Sequence, residues 1–279
     1  MIPRSDRWFL DVGGTFIKCS DGRCIPMPSG GSREQIAAAL RQAVARESAD
    51  TGLGIGVAIP GPFDYGRGIF LMRHKFAAVY GESFRALAGL PADTDLRFRH
   101  DVIAALEGSL AILGTAGDSR ATGETALVTI GTGLGFAHTQ DGAVQIGPNG
   151  SPARSIYSLP WGDGILEDSV SARGIRNAFA RLSSRTDLST AQIAQLGYSG
   201  NENALQVFSE LGETLGEALA PLLEDLHVGT LLLAGQVSRS YPLFQRPLCN
   251  ALDGIDIHPA PDGAVFAGLA TLFDNDNDK

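Results

Sequence analysis

Twice in this chain a short apolar run stops at a glycine-rich turn, and the sequence then doubles back into a second run. The first instance is Trp8-Phe9-Leu10 leading into Asp11-Val12-Gly13-Gly14-Thr15-Phe16-Ile17-Lys18. The second is Ala126-Leu127-Val128-Thr129-Ile130, then Gly131-Thr132-Gly133-Leu134-Gly135, returning as Phe136-Ala137-His138-Thr139. Apolar runs of this length bounded by glycine read as buried strands. The second turn is not a dinucleotide fingerprint, because G-x-G-x-x-G must open a helix and Phe136-Ala137-His138 is no helix start. A unit of strand, glycine turn and strand that occurs twice constrains the whole chain. It predicts two related α/β halves, facing each other across a cleft and each offering one turn to the same ligand.

The chemistry suggested by the turns is phosphate binding. Glycines let the chain take positive φ and bring backbone N–H groups close to a ligand, and a concave row of such amides holds an anion. Asp11 beside the first turn has a natural use in holding Mg²⁺ through its water shell. Gly13, Gly14, Thr15 and Lys18 are the candidates on this side, with Gly131, Thr132 and Gly133 on the other. The plainer alternative at each turn is a tight hairpin.

Between the turns, Ser32 is placed to cap a helix over residues 33–47, whose Ile36, Leu40 and Val44 recur at helical spacing. Residues 54–59 read as a buried small-residue strand ending in Pro60-Gly61-Pro62, and ligands of open α/β sheets sit at such carboxyl ends. Residues 63–76 read as an irregular loop and residues 80–88 as a short helix. A strand over 95–99 runs into His100-Asp101, and a helix follows over 102–113. Asp101 suits an N-cap. It also suits a general base that takes a hydroxyl proton during phosphoryl transfer, as in the kinase catalytic loop. Helices over 165–181, 203–226 and 264–273 and a strand over 230–234 complete the outline. The polar segment 116–123 marks a boundary, dividing the chain into 1–120, completed by 264–279, and 121–263.

Composition narrows the partners. The 279 residues carry a net charge of −9, so a nucleic-acid partner, which needs a basic face, is not expected. No apolar run approaches the ~20 residues of a spanning helix, and a polar start at residues 1–7 is not a signal peptide. The three cysteines, Cys19, Cys24 and Cys249, suggest neither a disulfide framework nor a zinc knuckle. The expectation is a cytoplasmic protein outside the membrane.

Five segments in order carry a family resemblance: DVGGTFIK (Asp11–Lys18), AIPGPFD (Ala58–Asp64), HDVIAALEG (His100–Gly108), IGTGLGF (Ile130–Phe136) and LLLAGQVS (Leu231–Ser238). Together they resemble the ROK family of bacterial sugar kinases and repressors, within the actin-like ATPase (ribonuclease H-like) fold. The repressor branch carries an N-terminal helix-turn-helix; this chain starts at its first strand and resembles the kinase branch. The resemblance implies ATP and Mg²⁺ as cofactors and a small sugar as partner, with a homodimer suggested by family habit alone. It gives Asp11 the Mg²⁺ through water, Gly13, Gly14, Thr15, Thr132 and Gly133 the phosphates, and Gly235 the adenosine. Asp101 becomes the base poised over the 6-hydroxyl of a hexose or amino sugar. Gly61, His100 and Glu167 are the candidate sugar contacts.

The departures from the family pattern fall in the sugar pocket. His100 stands where the family has Asn, and the usual Glu-x-Gly-His segment is missing from Gly147–Tyr157. The zinc stretch survives as Ser158–Glu167, with Ser158, Pro160 and Ile165 at its cysteine positions, so no zinc site is expected. Glu167 and Ser171 keep the positions of the family's sugar-binding glutamate and the serine that follows. Three rivals stay open: a degenerate kinase acting as a sugar sensor, an ATPase of the same fold acting on a protein, and a kinase using polyphosphate.

Overall fold

The fold was read from a computed structural model, which describes residues 7–45 and 54–274. The chain divides into two units: Met1–Ile112 with Ile146–Ala153 and Asp262–Lys279, and Leu113–Gln145 with Arg154–Pro261.

The first unit runs β1 (Arg7–Val12), β2 (Phe16–Cys19), β3 (Cys24–Pro26), α1 (Arg33–Val44), β4 (Gly54–Ile59), β5 (Phe63–Asp64), β6 (Ile69–Phe70), α2 (Phe84–Ala88), β7 (Leu96–His100) and α3 (Asp101–Thr115). Its main sheet has the order β3-β2-β1-β4-β7. The β1–β2 and β2–β3 pairs are antiparallel, whereas β4 lies parallel to both β1 and β7. The second unit runs β8 (Thr125–Ile130), β9 (Leu134–Gln140), β10 (Ala143–Val144), β11 (Pro160–Trp161), β12 (Gly164–Ile165), α4 (Leu166–Ser169), α5 (Ala172–Ser183), α6 (Thr190–Tyr198), α7 (Glu202–Asp225), β13 (Thr230–Ala234), α8 (Tyr241–Ala251) and β14 (Asp256–Pro259). Its sheet has the order β10-β9-β8-β13-β14, the same topology over again. The last helix, α9 (Ala264–Thr271), returns to the first unit.

Local chemistry explains most boundaries. Ser32 and Gln35 close a reciprocal capping box at the head of α1. The helix ends at Val44, and the expected residues 46 and 47 lie outside the described residues. Every residue of β4 is buried, and its glycines are required by what lies against them. A methyl group on Gly54 would come 2.6 Å from the Phe273 ring, and one on Gly56 would come 2.9 Å from Phe9. Helices α3 and α9 meet even more closely. A methyl on Gly108 or Gly268 would fall within 2 Å of the Ala264 or Ala104 carbonyl oxygen respectively.

Several expectations need correction. Residues 63–76 are an irregular loop only in their second half: residues 63–70 form the β5–β6 hairpin and residues 71–76 have no regular structure, with Phe63, Phe70, Met72 and Phe76 buried with Phe84 and Phe98 in one cluster. Only residues 84–88 of the expected 80–88 helix are helical, because Gly81 takes φ +81° and Ser83 supplies the cap to Ala86. The expected 165–181 helix is broken into α4 and α5. Ser171, fully buried, turns extended and caps Gly174 instead of continuing the helix. Helices α6 and α8 and strand β14 had no counterpart in the sequence reading.

Candidate functional site

In the first unit the sheet presents the carboxyl ends of β1, β4 and β7 side by side. Asp11 sits near the end of β1, Gly61 just past β4, and Asp101 at the head of α3, directly after β7. The parallel register that pairs Asp11 with Ala58 and Ile59 with His100 brings these positions to one edge.

The first glycine turn is a tight hairpin, closed by the Gly13 N–H donating to the Phe16 carbonyl at 2.9 Å. Neither Gly13 nor Gly14 takes a positive φ, so conformational freedom is not why they are glycine. At Gly13 close approach is the reason, since a methyl there would lie 3.1 Å from the Phe16 oxygen. Among the described residues the amides of Gly14 and Thr15, at the tip, have no protein acceptor. Hairpin and phosphate nest are thus compatible. The Ser29 hydroxyl donates to the Gly14 carbonyl at 2.6 Å and holds the tip in place.

Asp11 and Lys18 are cross-strand partners, with Lys18 Nζ 3.0 Å from Asp11 Oδ2. Burial pushes the Asp11 carboxyl above its ordinary pKa; Lys18 opposes the rise and the negative charge of Asp101 adds to it. At Asp101 the balance is reversed. Burial again pushes upward, but the charge and hydrogen bond of His100, the Val102 amide and the charge of Lys75 together hold its carboxyl below the usual range. His100 Nδ1 is 2.8 Å from Asp101 Oδ1, and the Val102 N–H donates to that same oxygen at 2.7 Å. The Asp101 side chain keeps 35% of its surface open. A carboxylate held toward its charged form and still partly accessible can accept a proton.

Asp11 fits a Mg²⁺ ion held through water. It is a half-buried carboxylate that feels the charge of a second one, Asp101, and Mg²⁺ is commonly bound by one or two carboxylates plus phosphates and water. Among the described residues there is no group of three or more His, Cys, Asp or Glu placed to hold an ion by themselves. Ser158, Pro160 and Ile165 lie on or beside the β11–β12 hairpin, which is closed by backbone bonds such as Leu166 N–H to Leu159 O at 2.8 Å.

Gly61 faces two aromatic side chains: a methyl there would lie 3.4 Å from the Tyr65 hydroxyl and 3.5 Å from His100 Nε2. The Tyr65 and His100 rings are 5.8 Å apart. Tyr65 donates to the Ile59 carbonyl, and burial, with Asp101 adding, pushes its hydroxyl pKa far up. Behind it lies Gly150, where a methyl would be 3.0 Å from the ring. Tyr65, Lys75 and Ser29 were missed in the sequence. Only Lys75 carried a signal, as one of just three lysines in the chain.

In the second unit the Gly131–Gly133 turn is a hairpin as well, with Gly131 N–H bonded to the Gly133 carbonyl at 3.0 Å. The Thr132 and Gly133 amides have no protein acceptor among the described residues. Gly235 has φ +92°, and a methyl there would collide with the Ile130 carbonyl oxygen at 2.4 Å. It therefore lies against the base of this turn. Glu167 accepts the Leu134 N–H through Oε2 at 2.9 Å, tying α4 to the same turn.

Two five-stranded sheets of identical order, each headed by a glycine hairpin, define the actin-like ATPase class of α/β protein. No family model matches the chain. It is 27% identical to a glucokinase of Halalkalibacterium halodurans, over 96% of this chain and 92% of that protein. Its fold is similar to that of a ROK family glucokinase from Streptomyces griseus, solved with glucose and AMPPNP, at a TM-score of 0.78, 19% identity and coverage of 95% and 98% of the two chains. A putative N-acetylmannosamine kinase from Listeria monocytogenes is similar at a TM-score of 0.74 and 19% identity, over 97% and 99%. The chain has the fold of the ROK sugar kinases, as its five sequence motifs suggested. Among the described residues no helix is long and apolar enough to cross a membrane.

Proposed function

We propose that this protein is a sugar kinase that transfers a phosphoryl group from ATP to a hydroxyl of a hexose or amino sugar, at the 6-position. The observation that carries the reading is Asp101. Its carboxyl is held below the usual pKa range by His100, the Val102 amide and Lys75 against burial, is partly open, and sits at the carboxyl edge of a parallel sheet, as a general base for a hydroxyl requires. The similarity to a glucokinase along nearly the whole chain supports sugar phosphorylation in general.

In this reading the acceptor hydroxyl gives its proton to Asp101 as its oxygen attacks the γ-phosphorus. Gly61, His100 and Glu167 orient the sugar. The open amides of Gly14, Thr15, Thr132 and Gly133 bind phosphate oxygens, Gly13 and Gly131 shape those turns, Gly235 borders the adenosine, and Lys18 balances the charge of Asp11. Asp11 would hold Mg²⁺ through water; the ion would neutralise charge on the phosphates. Positioning and neutralisation supply most of the catalysis in such transfers.

A coupled ADP-release assay across hexoses, N-acetylhexosamines and hexitols tests this. Turnover with one sugar that vanishes in Asp101→Asn is the expected result. Binding of sugar and ATP without turnover would replace the reading with a sensor, for which the contact of His100 with Asp101 would be the observation to pursue. Turnover with polyphosphate and not ATP would correct the donor.

A further inference from the structure

Lys75 acts by its charge on Asp101 and has no part in the roles above. It lies in the segment after β6, and that segment is clipped down by a chain of hydrogen bonds. The Phe76 N–H donates to the Ser29 carbonyl at 2.7 Å, and the Ser29 hydroxyl donates to the Gly14 carbonyl at 2.6 Å. Phe76 itself takes φ +54°, in the left-handed region, although it is a bulky residue. The conformation is held by complete burial of its ring, 5.2 Å from Phe70. Strain of this kind persists where the surroundings over-determine it, and it clusters at functional sites.

The clip lays Lys75 along the first glycine turn. A methyl on Gly14 would lie 3.5 Å from Lys75 Cδ and 3.7 Å from Cε. The stem of Lys75 therefore lies within ordinary van der Waals reach of this turn. The ammonium has no hydrogen-bond or ion-pair partner among the described residues. Its charge is nevertheless felt at Asp101. A lysine stem beside the first glycine turn, with a partnerless head whose charge reaches the base, is suited to an anion that arrives with the substrates.

We infer that Lys75 is a catalytic residue of the phosphoryl transfer, its ammonium meeting the oxygens of the phosphoryl group as it passes to the acceptor hydroxyl. The inference rests on the sugar-kinase reading above. As the acceptor O–P bond forms, the bond from γ-phosphorus to the β,γ-bridging oxygen breaks. The hydroxyl proton goes to Asp101, and the bridging electron pair leaves with ADP. Lys75 stays protonated throughout and neutralises charge on the group in flight. A fixed donor aimed at developing charge is typically worth about 10²–10³ in kcat.

The test compares wild type with Lys75→Met, Lys75→Arg and Lys75→Ala. Lys75→Met is expected to lose about 10²-fold in kcat with sugar KM little changed, and Lys75→Arg to recover part of the loss. Ethylammonium added to Lys75→Ala is expected to restore turnover in a saturable way, which a merely structural role would not allow. Around Asp101 the groups that act on its titration are His100, Lys75 and the Val102 amide, with Asp11 and Tyr65 facing it. The acid limb of kcat/KM should therefore move to higher pH in Lys75→Met and not in Lys75→Arg. Wild-type turnover with Lys75→Met unimpaired overturns the role of Lys75 alone. A loss in Lys75→Ala that no alkylammonium rescues, in a variant that melts like wild type, also overturns it. Wild type that transfers phosphate to no sugar overturns the kinase reading and this inference with it.

Discussion

Replacing Asp101 with Asn removes the proposed base and changes almost nothing else. The Asn carbonyl can still accept the Val102 N–H that Asp101 Oδ1 accepts at 2.7 Å, and Asn is among the residues favoured at helix starts. The exchange also removes the negative charge that raises the pKa of Asp11. The fold should therefore hold, with the melting temperature at neutral pH somewhat lower, because a carboxyl whose folded pKa is depressed contributes stability above that pKa. What is lost is proton acceptance. General-base catalysis contributes about 10²–10⁴-fold, which corresponds to about 3–5 kcal/mol of transition-state stabilisation. Because His100, Val102 and Lys75 hold the carboxyl below its ordinary range against burial, wild-type kcat should stay flat down to pH values below the usual carboxylate pKa unless another group titrates. The assay is steady-state ADP release with saturating Mg-ATP, with sugar affinity measured separately by calorimetry. The expected variant binds sugar within a few-fold of wild type and turns over at least two decades more slowly, as loss of a base requires. Turnover within a few-fold of wild type would refute the argument and leave Asp101 as a helix start only.

Four further outcomes follow. Asp11→Asn should abolish turnover yet raise the melting temperature, because burial is the main force raising this carboxyl's pKa and its partner Lys18 is largely solvated. A group whose folded pKa is raised contributes stability that is present at low pH and lost as pH rises through that pKa. The gain in Asp11→Asn should thus be larger at pH 7 than at pH 4, each kcal/mol moving the melting point by about 2–4 °C; equal melting curves at pH 7 would count against it. Gly235→Ala should destabilise the protein, since φ is +92° and the new methyl would meet the Ile130 oxygen at 2.4 Å. Gly131→Ala, with nothing within 4 Å of the added methyl, should melt like wild type, so any loss of its activity would report on ligand and not on folding. Elemental analysis of the purified protein should find zinc well below one equivalent; a stoichiometric amount would overturn the reading of Ser158–Glu167.

The phosphate turns were legible because their signal is local. A strand that ends in glycines and then resumes is visible in eight residues, and its recurrence at Ile130–Thr139 implied a repeated half, which the two sheets of identical order display. The capping of α1 by Ser32 was legible for the same reason. The break between α4 and α5 was not, because Ser171 looks like any helical serine until burial and its bond to Gly174 are known. The hairpin at residues 63–70 was hidden behind glycines and charged residues. Its Phe63 and Phe70 fill the core through contacts with Phe84 and Phe98, which lie far along the chain.

The sequence by itself determined the duplicated architecture, the glycine turns and the carboxylates beside them, because strand period, turn chemistry and charge act over a few residues. Only the tertiary structure decided which side chains share an edge. Parallel pairing of β1, β4 and β7 brings Asp11, Gly61 and Asp101 together. The clip through Ser29 and Phe76 adds Lys75. It also decided which way the pKa of each aspartate moves. Desolvation pushes both upward, and the sign of each shift depends on neighbours that no local window contains: Lys18 alone cannot offset it at Asp11, whereas His100, Val102 and Lys75 together do so at Asp101.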